Sequence, residues 1–282
     1  MKVLREGLFV GERALYNSRE LEIYDSVFAD GESPLKESEN ITLHGSIFKW
    51  KYPLWYSKNI KVFDSVLLEG ARSGIWYTDN IEMERCVIEA PKTFRRASKI
   101  TLTDCNMPKA QETLWNCKDI TLKDVVAAGD YFGMGCDGVY AENLTINGNY
   151  AFDGAKNIEI NGGRLISKDA FWNCENVVVR DAVIIGEYLG WNSKNVTFIN
   201  CTVESNQGMC YMQGLKMVNC KVINTDLAFE YSEVDAEILT SVVSVKNPIS
   251  GKIHARSIGE LIIQPELVDP AKTIITTEDE GK

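Results

Sequence analysis

Three aspartates near the middle of the chain carry the groups best suited to acid and base catalysis. Asp130, Asp153 and Asp169 follow one another at intervals of about one repeat of the pattern described below. Neighbouring carboxylates shift each other's pKa values, so that one can donate a proton while the other accepts one. If the protein is an enzyme, we expect Asp153 and Asp169 to be this acid and base in the cleavage of glycans by hydrolysis or lysis, with Asp130 beside them. The alternative is that all three are solvated loop charges.

Two cations accompany these carboxylates. Lys168 directly precedes Asp169, and Arg95 stands where neighbouring repeats carry tryptophan. Either cation could neutralise the carboxylate of an acidic sugar such as a uronate. We therefore include Lys168 and Arg95 among the candidate catalytic residues.

Tryptophans recur at one position of the repeat and could bind a sugar through their ring faces. The predicted ligand-binding residues are these tryptophans and a tyrosine of the central loop, namely Trp55, Trp76, Trp115, Trp172, Trp191 and Tyr131. Each of these tryptophans follows a residue expected to point inward, so strand alternation should turn it outward. An alternative is that they stack on one another for stability or form the interface of a homo-oligomer, which would make the protein a non-enzymatic scaffold.

The elements that position these side chains are set by an internal repeat. If the first apolar residue of each strand is taken as an anchor, the anchors recur at intervals of about 19–21 residues. They are Leu21, Ile41, Ile60, Ile81, Ile100, Ile120, Val139, Ile158, Val177, Val196 and Leu215. This interval is typical of a solenoid in which each repeat forms one coil.

Within a coil the pattern indicates strands. Segments such as Ile41-Thr42-Leu43 and Ile120-Thr121-Leu122 alternate with period two, and an Asp, Asn or Gly follows at the corner. Three short strands per coil with such corners predict an all-β fold, a right-handed single-stranded parallel β-helix of roughly 11–13 coils. We assign residues 1–264 to this domain, with residues 1–20 as an N-terminal cap and partial coil, and residues 265–282 to a C-terminal tail.

Two further columns support this register. An Asn or Asp precedes most anchors, and stacked coils could join these side chains in an asparagine ladder. A small residue stands three before each anchor and another five after it, and seven of the eight cysteines fall in these two columns. We therefore expect free, buried and inert thiols that act as small hydrophobic residues.

The chain resembles the pectin-lyase-like right-handed β-helix superfamily. More closely, its Trp-x-Ser/Cys-x-Asn-Ile/Val repeats and the opening Gly11-Glu12-Arg13-Ala14-Leu15 resemble a bacterial single-domain family of unknown function. The resemblance implies the fold. The superfamily includes lyases, hydrolases, esterases, epimerases and glycan-binding tailspikes. The site patterns of polygalacturonases and pectate lyases are absent from the sequence, so no catalytic residue is carried over.

Composition limits the partners and the location. The 282 residues carry a net charge of −10, which argues against nucleic acid or an anionic membrane surface as the main partner. No apolar run is long enough to span a membrane, and the first residues do not form a secretory signal. We expect a cytoplasmic protein that takes an oligosaccharide ligand or forms a homo-oligomer. The two histidines are isolated and no metal-ligand spacing occurs, so we expect no metal and no cofactor.

Overall fold

The computed structural model describes residues 2–278. The chain is an all-β parallel β-solenoid of about 15 coils with almost no helix, which confirms the predicted fold class. The described residues divide into two compact units, residues 2–145 (unit 1) and residues 146–278 (unit 2), which are described separately below. Two short 3₁₀ helices, Glu69–Ala71 and Pro270–Lys272, are the helical elements of the described residues.

Unit 1 is built from strands that pair in parallel with their equivalents one coil further on. The strands are β1 (Lys2–Arg5), β2 (Leu8–Phe9), β3 (Arg19–Tyr24), β4 (Val27–Phe28), β5 (Glu39–His44), β6 (Ile47–Phe48), β7 (Lys58–Phe63), β8 (Val66–Leu67), β9 (Ile75–Trp76), β10 (Asp79–Glu84), β11 (Val87–Ile88), β12 (Phe94–Arg95), β13 (Ser98–Thr103), β14 (Asn106–Met107), β15 (Lys118–Lys123), β16 (Val126–Ala128) and β17 (Asp137–Asn147). The register is the predicted one, with Ile41 facing Ile60 and Ile81 facing Ile100.

Unit 2 is built on the same plan, and several of its strands are longer. They are β18 (Lys156–Ile166), β19 (Glu175–Arg180), β20 (Val183–Gly186), β21 (Lys194–Ile199), β22 (Thr202–Ser205), β23 (Gln213–Ile223), β24 (Glu233–Lys246), β25 (Ser250–Ile262) and β26 (Thr273–Thr277). Ile158 faces Val177, and Val196 faces Leu215, as the anchors predict.

The corners of each coil are residues in the left-handed region of backbone space. The residue before each anchor has positive φ, for example Asn59 at 54° and Asn176 at 59°. So does the residue that directly follows the strand of the anchor, for example Asp64 at 52° and Asp181 at 53°. Asn, Asp and Gly adopt this conformation at the lowest cost. The Asn and Asp columns of the sequence therefore mark the corners of the solenoid.

The core lies inside the coils and consists of columns of like side chains. In unit 1 the rings of Phe9, Phe28 and Phe48 stack with centroids 4.9 and 4.5 Å apart. The small residues line the same interior, where Ser57 Oγ donates to the carbonyl of Leu35 at 2.9 Å. In unit 2 the Cys174 thiol does the same to the carbonyl of Phe152. All eight cysteines are free and buried.

The structure contains more coils than the 11–13 predicted from the repeat. At the N-terminal end β1 pairs with β3 and adds a coil before the first anchor. At the C-terminal end β24 pairs with β25, and β25 with β26. The intervals there are 17 residues, from Val234 to Gly251, and 22 residues, from Gly251 to Thr273, which the regular spacing does not reveal.

Strand β26 lies inside the stretch that the sequence assigns to a tail. Regular strand pairing thus extends past residue 264 to Thr277, which faces Ala255 of β25. The last four residues of the predicted tail, 279–282, and the first residue of the predicted cap lie outside the described residues.

Amide side chains at the corners bond to one another from coil to coil. In unit 1, Asn59 Nδ2 donates to Asn40 Oδ1, and Asn80 Nδ2 to Asn59 Oδ1, both at 2.9 Å. In unit 2, Asn176 donates to Asn157 at 3.0 Å and Asn195 to Asn176 at 3.1 Å. These amides are exposed or half-buried, so their bonds align corners that are already fixed by the backbone.

Because Phe48 is fully buried in the phenylalanine stack, Phe48→Ala should destabilise the fold strongly. We expect a loss of about 3–5 kcal/mol in the free energy of unfolding, measured by urea denaturation followed by circular dichroism. Val126→Ala, at a side chain that is 49% exposed, is the control and should change the value by less than about 0.5 kcal/mol. Similar effects of the two substitutions would contradict the assignment of the core.

Candidate functional site

In unit 1 the outward tryptophans form one continuous stack. The rings of Trp55 and Trp76 are nearly parallel, with centroids 5.2 Å apart. The guanidinium of Arg95 lies 4.6 Å from the centroid of Trp76 and 4.5 Å from that of Trp115, so it takes the place of an indole between them. Tyr52 lies 4.5 Å from Trp55. Both faces of Trp76 are therefore covered, and its edge faces solvent.

Unit 2 contains a second, shorter stack. Trp172 and Trp191 are stacked with centroids 5.7 Å apart. Tyr150 meets Trp172 edge to face at 5.9 Å, and Tyr188 and Tyr211 meet Trp191 at steep angles at 5.2 and 5.3 Å. The faces of these aromatic rings are thus covered by other rings and are not open to solvent.

The indole nitrogens of these tryptophans are also occupied. Each Nε1 donates to a backbone carbonyl that lies 16 or 18 residues further along the chain: Trp55 to Ser73, Trp76 to Lys92, Trp115 to Tyr131, Trp172 to Tyr188 and Trp191 to Gln207, at 2.5–2.9 Å. The residue after each tryptophan has positive φ, for example Tyr56 at 55° and Asn173 at 54°. This corner is what aims the indole along the surface toward the loop of the next coil.

Arg95 is held by its neighbours on all sides. Its Nη2 lies 3.4 Å from a carboxylate oxygen of Glu112, which also pairs with Lys92 at 3.0 Å. Its Nε is buried and has no hydrogen-bond partner. An arginine sandwiched between two indoles gains cation–π stabilisation of about 2 kcal/mol when desolvated. Arg95 could contact an anionic sugar, as predicted, only if its ion pair with Glu112 were broken.

Asp130 and Tyr131 belong to the loop of unit 1 that receives Trp115. The carbonyl of Tyr131 accepts the indole N–H of Trp115 at 2.8 Å, and the two rings meet edge to face at 6.3 Å. The carbonyl of Asp130 accepts the backbone N–H of Glu112 at 2.9 Å. The main chain of this loop therefore helps to hold the tryptophan stack.

In unit 2 the structure brings Asp153, Lys168 and Asp169 within electrostatic range of one another. Asp169 is only 2% exposed, and its Oδ2 atom is buried with no partner. Burial raises the pKa of Asp169, and the charges of Glu187 and Asp153 raise it further, while Lys168 and a hydrogen bond with Tyr150 act in the opposite direction. The carboxyl of Asp169 can therefore hold its proton to higher pH than an ordinary aspartate.

Lys168 and Asp153 sit at the surface around this buried acid. Lys168 Nζ lies 3.5 Å from a carboxylate oxygen of Glu187 and 5.6 Å from the ring centroid of Tyr188, and Glu187 raises the pKa of the ammonium. Asp153 accepts a hydrogen bond from Asn173 Nδ2 at 2.9 Å. Lys168 can bind an anionic ligand if its ion pair with Glu187 breaks. The unpartnered oxygen of Asp169 is buried, so a ligand cannot reach it.

The sixth tryptophan, Trp50, behaves differently and was not among the predicted residues. It is 43% exposed, and no other aromatic ring of the described residues stacks on it. Lys51 Nζ lies 5.4 Å from its ring centroid. A Cβ atom added to Gly70 would lie 2.3 Å from the carbonyl oxygen of Lys49 and 3.5 Å from the Trp50 ring, so only glycine permits this close approach.

Trp50 borders a surface depression of about 230 Å³ formed by the loops of three successive coils. Its lining residues are Trp50, Lys51, Glu69, Gly70, Arg72 and Pro91. Two of the charges are paired, Lys51 with Glu32 at 2.9 Å and Glu69 with Lys109 at 2.5 Å. Arg72 is exposed and has no ion-pair partner among residues 2–278. Trp50 occurs between repeats rather than in a column, so the repeat gives no signal for it.

The described residues contain no group of three or more His, Cys, Asp or Glu side chains that could hold a metal ion. Over residues 2–278, no helix is long and apolar enough to cross a membrane.

A family model described as "Protein of unknown function (DUF3737)" matches residues 2–276. No curated protein matches the chain. Among solved structures, the A-module of the mannuronan C-5 epimerase AlgE4 of Azotobacter vinelandii is 11% identical, with 97% of this chain and 88% of that chain covered and a TM-score of 0.32. The A-module of AlgE6 of the same organism is 12% identical, with 91% and 89% covered and a TM-score of 0.31.

The pentapeptide repeat protein HetL of the cyanobacterium Nostoc sp. strain PCC 7120, involved in heterocyst differentiation regulation, is 13% identical. The similarity covers 77% of this chain and 91% of that chain, with a TM-score of 0.28. All three likenesses are weak in both sequence and structure, and nothing about the activity of this chain follows from them.

The buried carboxyl of Asp169 should make stability depend on pH. Because its folded pKa lies above the ordinary value of 3.8, the folded chain holds the proton more tightly than the unfolded chain. Stability therefore falls as the pH rises from that value through the folded pKa, and the loss is complete above it. We expect Asp169→Asn to raise Tm at pH 7 and to have no such advantage at about pH 3, as measured by thermal denaturation across this range.

Asp181→Asn is the matched control, since an asparagine at this exposed position of unit 2 can still accept the bond that Asn200 Nδ2 donates to Asp181 Oδ1 at 3.0 Å. It should leave the pH dependence of Tm unchanged. If the Tm of Asp169→Asn equals that of the wild-type protein at every pH, the prediction is wrong. The buried oxygen of Asp169 then has a hydrogen-bond partner in solution.

Proposed function

Since the chain belongs to the DUF3737 family, whose function is unknown, we propose a function from its geometry: the protein binds an acidic oligosaccharide at the depression of unit 1 around Trp50 and Arg72. The observation that carries this proposal is an exposed indole beside an unpaired guanidinium. A sugar ring can stack its C–H face on the indole, and the guanidinium can form two parallel hydrogen bonds to a uronate carboxylate.

The size of the depression favours recognition of a single sugar unit within a chain. Its volume of about 230 Å³ is below the range of about 300–1,000 Å³ that is usual for sites enclosing a whole small-molecule ligand. The neighbouring units of the oligosaccharide would then lie on the surface. Lys51, which pairs with Glu32, supplies a second cation at the rim.

Binding is favoured over bond cleavage by the positions of the carboxylates. Asp169 keeps its unpartnered oxygen buried. The carboxylate in the depression, Glu69, is neutralised by Lys109. Neither arrangement offers a ligand an accessible acid together with a free base. We therefore propose a binding protein and retain Asp153, Asp169 and Lys168 of unit 2 as the candidate residues if a cleavage activity exists.

A titration with tri-galacturonate tests the proposal, with maltotriose as the neutral comparison. Wild-type protein should bind the uronate and release heat in isothermal titration calorimetry, and the neutral sugar should bind much more weakly. Arg72→Ala should weaken binding by about tenfold or more, since a hydrogen bond to a charged group contributes roughly 1.5–3 kcal/mol. Trp50→Ala should weaken it as well, and Trp50→Phe should retain part of the affinity.

Arg96→Ala is the control, because Arg96 is an exposed arginine of the same unit outside the depression. It should leave the affinity for the uronate unchanged. Equal affinity for the acidic and neutral trisaccharides, or equal effects of Arg72→Ala and Arg96→Ala, would refute the proposal.

A second candidate function is that of a non-enzymatic scaffold that pairs with a second copy of the chain through the tryptophan stack of unit 2. The mutual covering of the ring faces favours this function, because the indole edges and Tyr211, which is 43% exposed, are then the aromatic surface that remains for a partner. Aromatic surfaces of this kind are typical of protein interfaces.

If the scaffold function holds, light scattering should show a dimer that Tyr211→Ser weakens while the tryptophan stack stays intact. Tyr56→Ser, at a similarly exposed tyrosine of unit 1, should leave the dimer unchanged. A monomer at all accessible concentrations would exclude this second function and leave the sugar-binding proposal untouched.

A further inference from the structure

Cys86 and Cys105 occupy the same position in two successive coils of unit 1. Strands β10 and β13 pair Glu84 with Thr103, and the backbone N–H of Asn106 donates to the carbonyl of Cys86 at 3.0 Å. The two cysteines therefore face each other directly after the corner of their coils. Both side chains are buried.

The separation of facing residues suits a bond between the two sulfurs. Neighbouring strands lie about 4.8 Å apart, which is within the range of about 4.4–6.8 Å between Cα atoms that a disulfide can join. Each thiol also reaches the carbonyl two residues before it, Cys86 that of Glu84 at 3.4 Å and Cys105 that of Thr103 at 3.3 Å. The two side chains thus adopt the same orientation, one above the other.

The two thiols also interact with each other. The neighbouring Cys86 thiol lowers the pKa of Cys105, and the neighbouring Cys105 thiol raises the pKa of Cys86 well above its ordinary value. A thiolate is the reactive form of cysteine, and a neighbouring thiol is the partner that resolves its oxidised product. Cys105 combines a lowered pKa with a neighbouring thiol.

The chain provides a comparison in the same column of unit 2. Cys201 and Cys220 also face each other, since β21 pairs Ile199 with Val218 and the N–H of Lys221 donates to the carbonyl of Cys201. Here burial raises the pKa of both thiols, that of Cys201 to about 11. The two pairs share their position in the coil and their burial, and differ in the pKa shifts, since one pKa of the Cys86–Cys105 pair is lowered while both pKa values of the Cys201–Cys220 pair are raised.

We propose that Cys86 and Cys105 form a redox-active pair that peroxide oxidises to a disulfide joining two successive coils of unit 1. The Cys105 thiolate attacks one oxygen of hydrogen peroxide, and the O–O bond breaks to give Cys105 sulfenic acid and hydroxide. The Cys86 sulfur then displaces the sulfenic hydroxyl as its own proton is lost. In total two thiols and one peroxide yield one disulfide and two water molecules.

The position predicts a reversible bridge. Because the strand spacing of about 4.8 Å exceeds the mean Cβ separation of about 3.8 Å in disulfides, the bond has to draw the coils together and should be reduced readily by dithiols. Because both residues are buried, the oxidant has to be small, and hydrogen peroxide meets this requirement.

The test exposes the folded, reduced protein to hydrogen peroxide, followed by alkylation of remaining thiols in denaturant and mass spectrometry of tryptic peptides. Cleavage after Arg85, Lys92, Lys99 and Lys109 places the two cysteines in separate peptides, 86–92 and 100–109. We expect these peptides to become linked, with the loss of two of the eight alkylatable thiols, and dithiothreitol to restore both. Cys201 and Cys220 should remain alkylatable at the same peroxide dose.

Two variants separate this reaction from general oxidation of an unfolding chain. With Cys86→Ser, peroxide should convert Cys105 to sulfenic and sulfinic acid without a linked peptide, and Cys201→Ser should leave the linkage of 86–92 to 100–109 unchanged. Linkage of both cysteine pairs to the same extent, or full alkylation of Cys86 and Cys105 after peroxide treatment, would overturn the proposal.

Discussion

The left-handed corners are the constraint on which the rest of the structure depends. Each coil turns at residues with positive φ, one before the anchor and one directly after the strand of the anchor, and the sequence supplies Asn, Asp or Gly at most of them. Fixed corners hold the length of each coil, so that residues one repeat apart meet at the strand spacing. The phenylalanine stack, the tryptophan stacks and the facing cysteines are all consequences of this register.

The regular part of this architecture could be predicted from the sequence, because it depends on short-range periodicity. The anchors, the inward column and the small-residue columns follow from the alternation of apolar and polar residues. The observed register agrees with the predicted one from Leu21, which faces Ile41, to Leu215, which faces Val196. The added C-terminal coils could not be predicted, since their intervals depart from the repeat. There the hydrogen-bonding needs of β24, β25 and β26 decide the pairing rather than a repeated motif.

The candidate site was less predictable, for a different reason. Sequence alternation shows that Trp76 points outward, but it does not show that Trp55 and Arg95 cover its two faces. It likewise places Asp169 in a loop without showing that the loop buries its carboxyl. Trp50 and Arg72 belong to no column, and their meeting depends on Gly70, whose lack of a side chain lets two loops come close. Such contacts between loops carry no periodic signal.

The stacked columns also determine how unit 1 can deform. Rings of Phe9, Phe28 and Phe48 in contact at 4.5–4.9 Å resist compression along the direction of stacking, because they have no space left to close. Backbone and amide hydrogen bonds between the coils resist extension along the same direction. Bending must shorten one side and lengthen the other, so it meets both kinds of resistance at once. Unit 1 therefore has the mechanical character of a short stiff rod, which would present loops on its side at nearly constant spacing under load.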